Sequence, residues 1–136
     1  MRNINKIIIH CSATPEDKAF SVDDIRCWHL QRGFADIGYH FVIYLDGSVN
    51  VGRPLAKAGA HCKGYNAHSI GVCYIGGVAT DGKTPKDTRT EAQKRSLVRL
   101  ITELRQQFPN ASVHGHREFA NKACPSFNAR DEYKDL

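Results

Sequence analysis

Short apolar runs along the chain predict buried strands. Ile4 to Ile9 is rich in β-branched residues and ends at His10, and Ile70 to Ile75 is a second run of this kind. Ala111 to Val113 predicts a further short strand. Asp46-Gly47 separates the runs Phe41 to Leu45 and Ser48 to Val51, which predicts a hairpin whose two central turn residues both have positive φ.

Two capping signals predict helices between these strands. Ser21 is placed to cap a helix over Val22 to Arg32, and Thr90 to cap a helix whose apolar spacing continues to Phe108. Arg53 to Ser69 has no clear period and is interpreted as an irregular loop. Because the hairpin requires antiparallel pairing and the helices supply crossovers, we expect residues 1–136 to form a single α/β domain with a central mixed β-sheet flanked by helices.

Composition excludes several classes of protein. Hydrophobic residues make up 41% and charged residues 24% of the chain, as in globular proteins, which argues against disorder and coiled-coil arrays. The longest aliphatic run, Ile7 to Ile9, is far shorter than the ~20 residues of a membrane span. The N-terminal residues also lack the apolar segment of a secretory signal, so we expect synthesis in the cytoplasm without a signal peptide.

Net charge and cysteine content indicate which partners and which cysteine roles to expect. The net charge of +5 favours an anionic partner, such as nucleic acid or an acidic wall polymer. The basic residues are scattered and no recognition-helix signature is visible, so no nucleic-acid partner is expected. Five cysteines cannot all be paired, and in a reducing compartment cysteines more often bind metal or perform chemistry than form cross-links.

Three residues form a candidate metal site. His10 ends a predicted strand, His116 follows another, and Cys124 lies eight positions further on. Imidazole and thiolate are ligands that zinc prefers, and three protein ligands leave a fourth position for water, whose pKa then falls towards ~7. From spacing alone the alternatives stay open, because a histidine at a strand end can be structural and a single cysteine can be a packing residue.

Four segments that follow one another along the chain carry a family resemblance. They are Ile8-Ile9-His10-Cys11-Ser12-Ala13-Thr14, Gly38-Tyr39-His40-Phe41, Ser69-Ile70-Gly71-Val72, and the stretch from Gly115-His116-Arg117-Glu118 to Lys122-Ala123-Cys124-Pro125. From residue 7 to about residue 130 the chain resembles the zinc-dependent N-acetylmuramoyl-L-alanine amidases of the phage endolysin and peptidoglycan recognition protein superfamily. The resemblance implies that fold, one zinc ion per chain, and hydrolysis of the amide between the lactyl group of N-acetylmuramic acid and L-alanine of the peptidoglycan stem peptide.

The resemblance also implies roles for individual residues. His10, His116 and Cys124 match the zinc ligands, and Tyr39 and Lys122 match the catalytic tyrosine and lysine. A cation at Lys122 would stabilise the tetrahedral oxyanion, and the Tyr39 hydroxyl could orient the attacking water and relay protons. Without the resemblance, Tyr39 would be interpreted as a half-buried strand aromatic and Lys122 as a solvated loop charge.

A third set of residues falls in the segment that resembles the wall of the substrate groove. His61, Lys63 and Asn66 are candidate substrate-binding residues there, with an ordinary surface loop as the alternative.

Other candidates are set aside. His114 alternates with His116 and Cys11 follows His10, so both are expected to point away from the metal. Glu118 is interpreted as a cap or salt-bridge residue, because no His-Glu-x-x-His motif is present. The remaining polar or thiol candidates are assigned packing or supporting roles only: Cys27, Cys62, Cys73, Thr14, His40 and His68.

We therefore expect a monomeric, endolysin-like lytic enzyme with peptidoglycan as its partner. Without an export signal, it would reach the wall through a membrane lesion or a holin-type partner. The alternative is a non-catalytic peptidoglycan-binding module of the same superfamily. Such members lack the cysteine ligand, as the resemblance implies, whereas this chain has Cys124.

Overall fold

The computed structural model describes residues 2–136. Along the chain the strands and helices are β1 (Lys6–Cys11), β2 (Thr14–Pro15), α1 (Val22–Gln31), β3 (Phe41–Ile43), β4 (Val49–Val51), β5 (Ser69–Tyr74), β6 (Gly77–Val78), α2 (Glu91–Gln107), β7 (Ser112–Gly115) and α3 (Ala129–Tyr133). Short 3₁₀ turns occupy Asn66–His68 and His116–Glu118.

A mixed sheet forms the centre of the molecule, as the hairpin and crossover pattern predicted. Its strand order is β4-β3-β5-β1-β7, in which β3, β5, β1 and β7 are mutually parallel and β4 is antiparallel to β3. The carboxyl ends of β1 and β7 therefore meet at one edge of the sheet. In α/β proteins, ligands bind outside this carboxyl edge.

Helices cover both faces of the sheet. Ile7 and Ile9 of β1 pack with Leu97 and Ile101 of α2 in the larger core cluster. On the opposite face, α1 packs in a smaller cluster of residues drawn from several parts of the chain: Val22, Ile25, Ile37, Val42 and Ile75. Since side chains alternate along a strand, His10 lies on the face opposite Ile7 and Ile9.

Both predicted helices are confirmed together with their capping boxes. The Ser21 side chain accepts from the Asp24 N–H, and α1 ends one residue earlier than predicted, at Gln31. The Thr90 side chain accepts from the Gln93 N–H at the start of α2. Each cap satisfies amide groups that the first helical turn leaves without a partner, which explains why these boundaries were predictable.

The hairpin is correct, but its predicted turn is wrong. Gly47 has a φ of 87°, whereas Asp46 is not among the residues with positive φ. The Gly47 N–H donates to the Tyr44 carbonyl at 2.9 Å and the Tyr44 N–H donates to the Ser48 carbonyl at 3.0 Å. The connection is therefore a longer loop with a single left-handed residue, and both strands are shorter than the apolar runs suggested.

Strand boundaries differ from the prediction and several short elements were missed. β1 is shifted two residues towards the C-terminus relative to the predicted Ile4 to Ile9, because its pairing with β5 continues to Cys11. The β2–β6 pair, helix α3 and the two 3₁₀ turns had no prediction. Each is only two to five residues long and depends on distant partners, which local patterns do not report.

The long segment before β5 is irregular, as predicted, and two arginines fix it to the body of the protein. The Arg2 guanidinium donates to the Leu55 carbonyl at 2.9 Å and to the Ser69 carbonyl at 3.0 Å. Arg53 donates to the Ile37 carbonyl at 3.0 Å. None of the helices in residues 2–136 combines the length and apolar character that a membrane span requires.

Candidate active site

The three predicted metal ligands come together at the carboxyl edge of the sheet. His10 is near the end of β1, His116 begins the 3₁₀ turn that follows β7, and Cys124 lies on the loop beyond it. Their potential ligand atoms all lie within 4.8 Å of one another. The His10 and His116 ring centroids are 4.5 Å apart. This group could hold a metal ion.

The donor set and its spacing fit zinc. Cys124 Sγ is 3.9 Å from His10 Nδ1, close to the ~3.5 Å that tetrahedral Zn–S and Zn–N bonds of about 2.3 and 2.0 Å imply. Burial lowers the pKa of His10 and of His116, so both imidazoles have a free lone pair at neutral pH. The hydrogen bond with the Cys11 side chain, followed by burial, raises the pKa of the Cys124 thiol, and a bound divalent cation reverses that preference.

Hydrogen bonds to main-chain carbonyls hold the loop that carries Cys124. The Arg117 N–H donates to the Cys124 carbonyl at 2.8 Å. The buried Tyr74 hydroxyl donates to the Pro125 carbonyl at 2.7 Å, and Ser126 Oγ donates to the Gly77 carbonyl at 2.9 Å. Cys124 is therefore positioned from two sides, by the turn at His116 and by the end of β5.

Tyr39 and Lys122 line the same cleft as His116 of the ligand group. The Tyr39 ring centroid is 5.0 Å from that of His10, and burial raises the pKa of Tyr39 well above its ordinary value. Tyr39 is therefore a neutral phenol at physiological pH. Lys122 is exposed, and its positive charge contributes to the lowered pKa of His10 and His116.

The cleft itself is open and positively charged. Its volume is about 510 Å³, and its walls include Tyr39, His116 and Phe119. Arg32, Lys63 and Lys122 also line it, whereas no Asp or Glu within residues 2–136 does so. A cleft of this charge favours anionic ligands and developing negative charge.

The structure places the three candidate groove residues differently from one another. Lys63 is exposed on the cleft wall. Asn66 Oδ1 accepts from the backbone N–H groups of His61 and Cys62, at 2.9 and 3.0 Å.

His61 lies deeper than the other two. It is buried, with Nδ1 2.8 Å from His10 Nε2 and Nε2 3.2 Å from Ser69 Oγ. Burial, followed by the charge of His40, lowers the pKa of His61 to about 3. Contact of these three residues with substrate stays a prediction.

His114 lies outside the ligand group, but the alternation argument for excluding it is wrong. Residues two apart on a strand share a face, and the pairing of Ile8 with His114 puts His114 on the same face as His10. His114 is kept out of the group by its partners, because its ring nitrogens contact Ser112 Oγ at 2.7 Å and Glu118 Oε1 at 3.0 Å.

The roles expected for Glu118 and Cys11 are consistent with the structure. Glu118 Oε2 accepts from the Gly115 N–H at 2.8 Å and thereby caps the 3₁₀ turn. The Cys11 side chain is in the core with Ile7 and Ile9, on the face away from His10. The contact of the Cys11 backbone N–H with Cys124 Sγ had no prediction, because it depends on the loop carrying Cys124 folding back over the end of β1.

The fold and this site define the class of the protein: a mixed-sheet α/β domain with a possible metal-binding group of two histidines and one cysteine beside an open cationic cleft. The profile of the N-acetylmuramoyl-L-alanine amidase family matches residues 1–127. The chain belongs to this family.

Individual relatives agree with this assignment. The endolysin of Klebsiella phage KP32 is 43% identical over 126 residues, covering 93% of this chain and 83% of the relative. The solved structure of N-acetylmuramoyl-L-alanine amidase LysC from Clostridium intestinale superimposes with a TM-score of 0.81 at 30% identity, covering 96% of this chain and 82% of that one. The structure of Drosophila PGRP-LB superimposes with a TM-score of 0.81 at 27% identity, covering 100% of this chain and 82% of that one.

The resemblance, the fold class and the enzyme class expected from the sequence are therefore confirmed. The protein is a peptidoglycan amidase of the endolysin type.

Proposed function

We propose that the protein is a zinc-dependent N-acetylmuramoyl-L-alanine amidase, with His10, His116 and Cys124 as the ligands of one zinc ion. The observation that carries the proposal is the convergence of three ligand atoms within 4.8 Å, one of them from His116, which lines the same cleft as Tyr39 and Lys122. Two neutral imidazoles and one thiolate leave a coordination position for solvent or substrate, as catalytic zinc sites require.

The chemistry divides between the metal and the side chains around it. When bound, zinc supplies a Lewis acid and lowers the pKa of water. The Lys122 ammonium stabilises negative charge that develops on the scissile carbonyl oxygen. The Tyr39 hydroxyl, which is protonated at physiological pH, can orient the attacking water and pass a proton towards the leaving amine of L-alanine.

Substrate binding follows from the charge of the cleft. Lys63 is the groove candidate whose charge is free to meet carboxylates of the stem peptide, whereas His61 and Asn66 are proposed to act by shaping the wall. We infer that residues 1–136 act as one catalytic unit. The endolysin relatives support action on the wall after the enzyme is released through the membrane, by a lesion or a holin-type partner.

Digestion of purified peptidoglycan sacculi tests this function. The zinc-loaded protein is expected to release new N-terminal L-alanine, with intact glycan strands in the mass spectrum. Chelator should abolish the release and added zinc should restore it. Binding to sacculi with no new amine would favour the non-catalytic recognition module, and release of reducing sugar ends instead would contradict amidase chemistry.

A further inference from the structure

His61 contacts the ligand His10 on the side away from Cys124, and the proposed mechanism gives it no catalytic role. Its Nδ1 is 2.8 Å from His10 Nε2, and this contact is buried. The other His10 ring nitrogen, Nδ1, is the one that faces Cys124 Sγ. His10 therefore presents one nitrogen to the ligand group and the opposite nitrogen to His61.

The residues around His61 leave a close-fitting space for its ring. A Cβ added at Gly71 of β5 would lie 2.7 Å from two ring atoms of His61, and one added at Gly59 would lie 2.7 Å from its Cδ2. Neither position can carry a side chain while the ring stays in place. The two hydrogen bonds to Asn66 Oδ1 fix the backbone at His61 and Cys62. The ring thus has little freedom to turn away from His10.

The second ring nitrogen of His61 contacts the hydroxyl of Ser69. His61 Nε2 is 3.2 Å from Ser69 Oγ, and Ser69 is fully buried. Coordination through His10 Nδ1 requires that nitrogen to be unprotonated, which places the His10 proton on Nε2. His61 must then accept at Nδ1 and donate from Nε2 to Ser69 Oγ.

We propose that His61 is a positioning residue for the metal, which holds His10 through the relay His10 Nε2–H to His61 Nδ1 and His61 Nε2–H to Ser69 Oγ. This inference rests on the proposed zinc site. A histidine ligand needs a hydrogen-bond partner on its second nitrogen to fix its tautomer and ring orientation, and that partner is commonly a carboxylate or a carbonyl. Here it is a second imidazole.

The choice of a neutral partner has a consequence for the reaction. A zinc ion and one thiolate give the site a net charge of +1, and a carboxylate behind His10 would reduce the field at the scissile carbonyl. Neutral His61 orients His10 without adding negative charge. The net positive charge of zinc and the thiolate therefore remains available to stabilise the oxyanion.

Zinc affinity tests the proposal without relying on activity. Competition with a chromophoric chelator should show about 10- to 100-fold weaker zinc binding by His61→Phe. This variant keeps a ring in the same space but has no acceptor for the His10 Nε2–H. His61→Gln can still accept from His10 Nε2–H and should lose less. His68→Gln, at an exposed histidine of the same loop, is the matched control and should bind like the wild type.

The result that would overturn the inference is zinc affinity of His61→Phe equal to that of the wild type. A wild type that itself binds no zinc would instead overturn the proposed function, so the two failures are distinguishable. The melting temperatures of the metal-free variants are measured alongside, because loss of the buried contacts with His10 and Ser69 also lowers stability, and zinc affinity is compared at a temperature where every variant is folded.

Histidine ¹⁵N spectra of the zinc-loaded wild type provide a check that needs no variant. They should show the His10 proton on Nε2 and the His61 proton on Nε2. A zinc-loaded protein whose His61 carries its proton on Nδ1 would contradict the relay, because that nitrogen could not then accept from His10.

Discussion

The backbone N–H of Cys11 donates to Cys124 Sγ at 3.2 Å, across 113 residues of sequence. The same strand end carries His10, so β1 provides one ligand and directs a donor at another. Amide donors favour an ionised acceptor, and this contact therefore stabilises the Cys124 thiolate on metal binding. Geometry at the end of β1 controls two of the three ligands.

Cys124→Ser should remove both zinc and activity. A hydroxyl is a poor substitute for thiolate at a zinc site, and the Cys11 N–H would then face a neutral oxygen. Metal analysis of the purified variant and alanine release from sacculi measure the two effects. Cys27→Ser is the control, since Cys27 is exposed on α1 and away from the cleft. A serine variant with full zinc content and turnover would show that Cys124 is no ligand.

Lys122→Ala should keep its zinc and lose turnover by about 10²- to 10³-fold, because its charge is needed where the oxyanion develops. Lys122 is not a member of the ligand group. Steady-state digestion of soluble muropeptides separates kcat from KM, and the loss should fall on kcat. Lys134→Ala, at the far end of α3, is the matched charge control. Normal turnover by the Lys122 variant would refute its role.

Tyr39→Phe should leave the fold and the zinc content unchanged and lower kcat by about 10²-fold or more, because it removes only the hydroxyl. The ring packing beside His10 is retained. Melting temperature and metal content control for structure. Wild-type turnover in this variant would assign Tyr39 to packing alone.

His29 should make the metal-free protein less stable in acid. Burial, followed by the charges of Arg32 and Arg53, lowers the pKa of His29 from 6.5 to about 4, and its Nδ1 accepts from the Gly38 N–H at 2.8 Å. Between these pH values the unfolded chain binds the proton more tightly than the folded one. Unfolding free energy must therefore fall as pH drops from about 6.5 towards 4.

Urea unfolding at pH 7 and at pH 4.5, with chelator present, measures the effect of His29. His29→Gln retains an acceptor for the Gly38 N–H but cannot titrate, so its loss of stability on acidification should be smaller than that of the wild type. Other histidines whose pKa burial also lowers leave a residual pH dependence in both proteins: His10, His40, His61 and His116. Equal losses in the two proteins would contradict the assignment to His29.

Local signals determined what the sequence could predict. Capping boxes at Ser21 and Thr90 and the β-branched run that becomes β1 are decided by neighbouring residues, and they were placed within about two residues. The His10, His116 and Cys124 group was found because both histidines lie at or just after strand ends and because four motifs occur in register. These features need no knowledge of tertiary contacts.

Long-range contacts account for the rest. The role of His61 depends on a partner 51 residues away, and its burial depends on the absence of a side chain at Gly71. Gly71 within an apolar strand was a usable signal, since an isolated strand glycine indicates close approach by another group. The prediction that the His114 side chain points away from the metal face was wrong, because residues two apart on a strand share a face rather than alternate.

Zinc K-edge X-ray absorption of the zinc-loaded enzyme is the sharpest test of the proposed ligand set. We expect one sulfur scatterer at about 2.3 Å and imidazole nitrogens at about 2.0 Å, with the sulfur lost in Cys124→Ser. A fully active, zinc-loaded protein whose metal shell contains no sulfur would contradict the assignment of Cys124 and with it the proposed zinc site.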